Sequence, residues 1–181
     1  GEDQQMCANS CQAVRWFREY DLIGPLLNAV EDRSHPQSTM ICETLVSMSD
    51  LLYEEVTAPR DYNDRRDPQL VARNFVTVVE KSIGRFSQQK RTEVIESFLV
   101  LAKRDNPQLK LILQDPHNQA YLAVIDTLSH SRRPGVINLL LSLLEDPRPP
   151  LAAIQIVAKR SDPRFVHQLL RSIGEQPSEN A

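Results

Sequence analysis

Five times in this chain of 181 residues an Asp or Asn stands directly before proline: Asp67-Pro68, Asn106-Pro107, Asp115-Pro116, Asp146-Pro147 and Asp162-Pro163. An Asp or Asn side chain at a helix N-cap accepts hydrogen bonds from the unpaired amides of the first turn. Proline at the next position loses no hydrogen bond and brings a φ already suited to a helix. Apolar residues at helical spacing come after each pair. A start signal recurring every ~10–40 residues predicts short helices laid end to end with tight turns, the pattern of a helical repeat array.

Composition agrees with that pattern. Leu, Ile, Val and Ala dominate, and aromatic residues are only 6%, which suits aliphatic packing of helix on helix. Twelve prolines beside five glycines fit a helical chain when the prolines open helices. The apolar period predicts about ten helices. Three span the first third, near residues 4–19, from Asp21, and from Pro36 to Val56, the last with a stripe at Ile41, Leu45, Met48 and Leu52. The polar stretch 57–67 reads as a linker. Further helices are expected over 68–83, closed by Gly84 as a C-cap, then 88–104, 107–114, 118–129, 134–145, 148–160 and 163–173, the last stopped by Gly174. The expected organisation is an N-terminal helical cap and linker over 1–66, a repeat array over 67–175 and a loose tail over 176–181, in one continuous domain.

Sliding the chain by 29 residues lays 121–144 over 150–173. Identities then fall at Leu122/Leu151, Ala123/Ala152, Ile125/Ile154, Pro134/Pro163, Leu140/Leu169 and Leu141/Leu170. The run LLEDPRPPLAAIQIVAKRSDPRFVHQLLRSI (143–173) has an LL-x-D-P turn, an Ala-rich second helix, and D-P-x-x-V before a Leu-Leu pair. In this it resembles the HEAT and armadillo class of α-helical repeats, most closely over 106–174. It departs from that pattern at Ala158-Lys159, where Leu-Gly usually ends the second helix. The resemblance implies an all-α fold, a short α-solenoid of HEAT-like hairpins. It names a fold that hosts unrelated tasks.

Reaction chemistry is not legible. No G-x-S-x-G, H-E-x-x-H or phosphate-cradling glycine loop is present. The adjacent carboxylates (Glu31-Asp32, Glu54-Glu55, Glu145-Asp146) do not face one another on a helix. Of the histidines, His35 and His117 fall in turns, His130 ends a helix, and none, His167 included, has a local partner that makes it a general base. Cys7 and Cys11 share a helix face and make half a soft-metal site, or serve as small apolar side chains. Neither a cofactor nor a metal is expected, and the chain reads as no enzyme. Three cysteines are too few, and odd in number, for a disulfide framework, which points to a reducing compartment such as the cytoplasm. No apolar run reaches the ~20 residues of a membrane span. A chain that begins at Gly1 reads as a processed form or a piece of a longer one.

Charge supplies the one residue-level candidate. Residues 1–67 hold 6 Lys/Arg against 13 Asp/Glu, and residues 68–181 hold 15 against 11. The basic excess is concentrated in pairs before helix-opening prolines: Arg65-Arg66, Lys103-Arg104, Arg132-Arg133 and Lys159-Arg160. In a stacked array such turns recur on one edge, at a helix-packing distance of ~8–10 Å. Lys103, Arg104, Arg132, Arg133, Lys159 and Arg160 are thus candidates for docking another protein with an acidic surface. The competing explanation is that cations at helix C-termini satisfy the helix dipole in any protein. The resemblance also reaches HEAT-like DNA glycosylases, which makes a nucleic-acid binder or a glycosylase- or lyase-type enzyme the alternative. Against it stand a sequence pI of about 5.8, where such domains exceed ~9, and Trp16, Tyr20 and Tyr53 lying in the acidic third. The expected function is a non-enzymatic interaction or scaffold module.

Overall fold

The structure is a computed structural model; it describes residues 2–32, 34–59, 66–168 and 170. The elements are α1 (Glu2–Phe17), α2 (Ile23–Glu31), α3 (Ser38–Thr57), α4 (Pro68–Glu80), α5 (Ile83–Gln88), α6 (Thr92–Leu101), α7 (Pro107–Gln114), α8 (Tyr121–His130), α9 (Pro134–Leu144) and α10 (Leu151–Lys159), with 3-10 turns at Tyr20–Leu22 and Pro163–Phe165. The fold is all-α, with no strand among the described residues. Of the expected elements, Arg65, the centre of the 57–67 linker, Gly174 and the tail lie outside the described residues.

Helices α3, α6, α8 and α10 each pack on the next, forming a row. On its flanks, α1 and α2 lie against α3, α4 touches α3 and α6, α7 touches α8 and α10, and α9 touches α6, α8 and α10. One continuous cluster of buried side chains runs from Cys11 on α1 to Phe165. It is mostly aliphatic, with Phe75, Phe86, Phe98 and Phe165 buried among the Leu, Ile, Val and Ala side chains. Ser49 on α3 and Ser97 on α6 are fully buried. Each hydroxyl donates to its own helix, to the carbonyls of Val46 and Val94, so neither leaves an unpaired polar group in the core.

The Asx-Pro pairs divide. Asp67 accepts from the Gln69 amide and opens α4, while Asn106 accepts from the Leu109 amide and opens α7. Asp162 accepts from the Arg164 amide and opens only a 3-10 turn, with 166–168 helical behind it. Asp115 and Asp146 make the same local bond, to the amides of His117 and Arg148, yet neither opens a helix at once. At 115 the side chain of Asn118 takes the Ala120 amide and starts a second turn, so α8 waits until Tyr121. At 146 the run Pro149-Pro150 disfavours α geometry at Arg148 and Pro149, and α10 waits until Leu151.

The expected end at Gly84 is also corrected. Helix α4 stops at Glu80, and Gly84 lies inside α5 with no positive φ. The expected 88–104 helix is interrupted because Lys90, at φ 56°, ends α5. There the Arg91 amide reaches back to the Phe86 carbonyl at 3.0 Å. Arg18, at φ 53°, ends α1 in the same way, with the Glu19 amide on the Val14 carbonyl at 3.0 Å. Both are left-handed helix terminations made without glycine.

Glycine is needed for space at one position. A Cβ on Gly135, in the first turn of α9, would lie 2.5 Å from the Val100 carbonyl oxygen and 2.9 Å from Val100 Cγ1. Backbone cannot yield as a side-chain tip does. Gly135→Ala is therefore expected to lower unfolding free energy by about 1–3 kcal/mol. Gly24→Ala, with nothing within 4 Å of the new methyl, should be neutral or gain up to ~1 kcal/mol. Urea titration of the two variants checks both.

Candidate partner-binding cleft and the cationic pairs

The three described cationic pairs stand at or just past the C-terminal ends of consecutive members of the row, α6, α8 and α10, with Lys159 the last residue of α10. Within each pair the two residues differ. Lys103, Arg132 and Lys159 are exposed and make no ion pair or hydrogen bond among the described residues. Their neighbours turn back onto the fold. Arg104 reaches the Ser142 carbonyl of α9 at 3.4 Å. Arg160 donates to the carbonyls of Leu128 and Ser131, at 2.7 and 2.8 Å, and lies over the Phe165 ring. It thus satisfies carbonyls at the C-terminal end of α8, where the helix dipole favours a cation.

Arg133 is bound most tightly. Its guanidinium pairs with Asp50 of α3 and, through Nε at 2.9 Å, with Glu96 of α6. Glu96 accepts a further 2.6 Å bond from the Ser131 hydroxyl. The cluster ties the turn between α8 and α9 to two helices of the row. Its two ends respond differently to burial. Burial opposes charge on Arg133, yet Glu96 and Asp50 together hold its pKa above the ordinary value. Asp50 has one cation beside it; burial, with Glu96 and Glu54 nearby, pushes its carboxyl up despite Arg133.

An open cleft of about 880 Å³ lies where α4, the loop after α6 and α9 meet, with the end of α3 at its side. Its floor is apolar, built from Ala72, Val76, Val100, Ala102 and Leu139. Helix α4 turns one stripe toward it, with Gln69, Arg73, Val76 and Glu80 at helical spacing. After α6, Ala102 is extended and the chain turns at Lys103–Asn106. The Asn106 side chain then caps α7 and donates to Glu80 at 3.0 Å, which pins this loop to α4. Tyr53 of α3 and Asn138 of α9 are joined by a hydrogen bond. The lining carries Arg73, Lys103 and Arg104 against Glu80 and Asp105. Arg73 and Lys103 are exposed and unpaired among the described residues, whereas Glu80 is already engaged by Asn106.

The structure thus brings Lys103 and Arg104 to a cleft. It places Arg132 and Lys159 outside the cleft lining and commits Arg133 and Arg160 to the fold. Arg73, Asp50 and Glu96 carry no sequence signal, because Asp50 and Arg133 lie 83 positions apart and meet only through the row. The cysteines are free thiols, with Cys11 and Cys42 buried. Burial pushes the Cys42 thiol up to about 11; burial, and then Cys11, raise that of Cys7. Among the described residues no three His, Cys, Asp or Glu side chains are grouped to hold a metal ion, and no helix is long and apolar enough to cross a membrane. Comparison with protein-family models, curated proteins and solved structures finds no match to this chain.

The split within the pairs has measurable consequences. Arg133→Ala strands Asp50 and Glu96 half-buried beside each other and should cost about 1–3 kcal/mol, between the values for exposed and buried pairs. Arg132→Ala should stay within ~0.5 kcal/mol; equal losses on thermal unfolding would deny the assignment. For Asp50, the folded pKa lies above the unfolded one. Its contribution to stability is present below the unfolded value and is lost as pH rises through the folded value. Wild type should therefore gain on Asp50→Asn as pH falls through the carboxylate range, with a flat difference above it, read by urea titrations across pH.

Proposed function

We propose that this chain is a non-enzymatic protein-interaction module, a short α-solenoid of HEAT-like hairpins, whose cleft between α4 and α9 receives an extended acidic segment of another protein. The observation that carries the reading is Arg73 and Lys103, exposed and unpaired beside an apolar cleft floor. Cations at the edge of a low-dielectric surface attract a carboxylate more strongly than they would in open water. The cleft walls are helices already fixed by Asn106–Glu80 and Tyr53–Asn138, so little ordering is lost when a segment binds.

Two further observations support the stacked reading and its setting. Successive packing of α6, α8 and α10 agrees with the 29-residue correspondence between α8 and α10. Three free thiols suit a reducing compartment such as the cytoplasm. Nucleic acid is the weaker reading, because Arg133 and Arg160, half of two cationic pairs, are engaged by carboxylates and carbonyls within the fold. Phosphate-dominated binding needs many free cations.

Selection from a random peptide display library on the immobilised chain tests the proposal. Enriched peptides should carry Asp or Glu within an apolar run. Their affinity should fall about tenfold or more in an Arg73→Glu/Lys103→Glu variant and weaken with salt, while Arg132→Glu leaves it unchanged. Enriched peptides without carboxylates, or affinity indifferent to the double reversal, would reject the cleft as the site.

A further inference from the structure

The ionic cluster at the start of α9 stands one helical turn behind the cleft on two helices at once. On α6, Glu96 and Val100 are four residues apart, and on α3, Asp50 and Tyr53 are three apart, so each pair shares a helix face. Arg133 pairs with the first member of each, Glu96 and Asp50. Within α9, Gly135 lies against the backbone of Val100, and the Asn138 amide group donates to the Tyr53 hydroxyl. Val100, Tyr53, Gly135 and Asn138 line the cleft, whereas Glu96, Asp50 and Arg133 do not. An ionic tie behind and a close contact in front therefore recur on both helices.

Neighbouring ties hold other parts of the region. Arg160 takes the Ser131 carbonyl and so secures the α8 side of the turn, and Asn106–Glu80 joins the loop after α6 to α4. Arg133 is itself the N-cap residue of α9. Its carbonyl accepts from the Ile137 amide at 3.1 Å, while its side chain makes no capping bond and reaches α3 and α6 instead. The three charged side chains are half-buried, where solvent screens charge less than at an open surface. A planar guanidinium can meet carboxylates on two helices together; a lysine ammonium offers a single point charge.

We propose that Arg133 is a positioning residue for the cleft: it holds the α9 wall in place against α3 and α6, and so tunes affinity for the bound segment without touching it. The effect on affinity rests on the cleft being the binding site; the effect on the wall does not.

Amide hydrogen exchange on the full chain, without a partner, tests the wall. In Arg133→Lys the amides of Ile137, Asn138 and Leu139 should exchange about 3- to 30-fold faster, while those of α2, which packs on α3 and α4, keep their rates. Burial already disfavours charge on Asp50, so Asp50→Asn should keep global stability at neutral pH and still speed exchange at the same amides. Peptides enriched on the wild type by display should bind Arg133→Lys about 3- to 30-fold more weakly. Their salt dependence should persist, because Arg73 and Lys103 are intact. Unchanged exchange in α9, or a rise spread evenly over every helix, overturns the proposal. So does unchanged peptide affinity alongside faster exchange. The Arg73→Glu/Lys103→Glu variant reads the binding site separately. If it binds every enriched peptide as wild type does, the cleft is not the site, and the exchange rates alone decide the role of Arg133.

Discussion

Helix α6 is the member on which the remaining packing depends. Its ten residues, TEVIESFLVL, bury Val94, Ile95, Ser97, Phe98, Leu99, Val100 and Leu101, nearly every face the helix has. A helix apolar around its whole circumference has to be enclosed, and α6 is, by α3, α4, α5, α8 and α9. That enclosure has a steric consequence. Helix α9 reaches α6 closely enough to set Gly135 against the Val100 backbone, so a methyl group is excluded there although the helical conformation would welcome one. The same approach of α9 to the end of α6 forms one wall of the cleft, because Val100, Gly135 and Leu139 all line it.

Much of this fold is legible in the sequence. The helix count, the start of α4 at Asp67-Pro68 and of α7 at Asn106-Pro107, and the stripe on α3 are set by capping chemistry and spacing. Helix ends are harder, for a physical reason. Arg18 and Lys90 adopt left-handed backbone at a cost of about 1–2 kcal/mol, and no glycine marks either position. The tertiary hydrogen bonds and packing around those turns outweigh the local preference. At Asp115 and Asp146 the local bond forms as the dipeptide predicts, but its consequence depends on the neighbouring residues downstream. An Asx turn becomes a helix only if those residues accept α geometry. At one turn Asn118 instead caps a second turn at the Ala120 amide, and at the other Pro149-Pro150 disfavours α geometry in the residues before each proline.

The site shows the same division between local and global information. Lys103 and Arg104 are visible in the sequence because such pairs repeat. Arg73 is not, since nothing distinguishes it from any exposed arginine of an amphipathic helix until the loop after α6 folds beside it. Asp50 and Glu96 are invisible for a related reason: a carboxylate gains its role from a partner, and the partner here is 83 positions away in one case.

These pairings also change what a cationic pair means. A helix C-terminus stabilises positive charge close to its last carbonyls, and in each of the three described pairs the second residue meets carbonyl oxygen or carboxylate. The residue before it is then directed to solvent. Each of these Lys/Arg doublets therefore contributes one fold-bound cation and one cation whose hydrogen-bonding capacity is still available. That division favours a short acidic segment held at a few defined points over a polyanion, whose binding scales with the number of free cations that meet its charges.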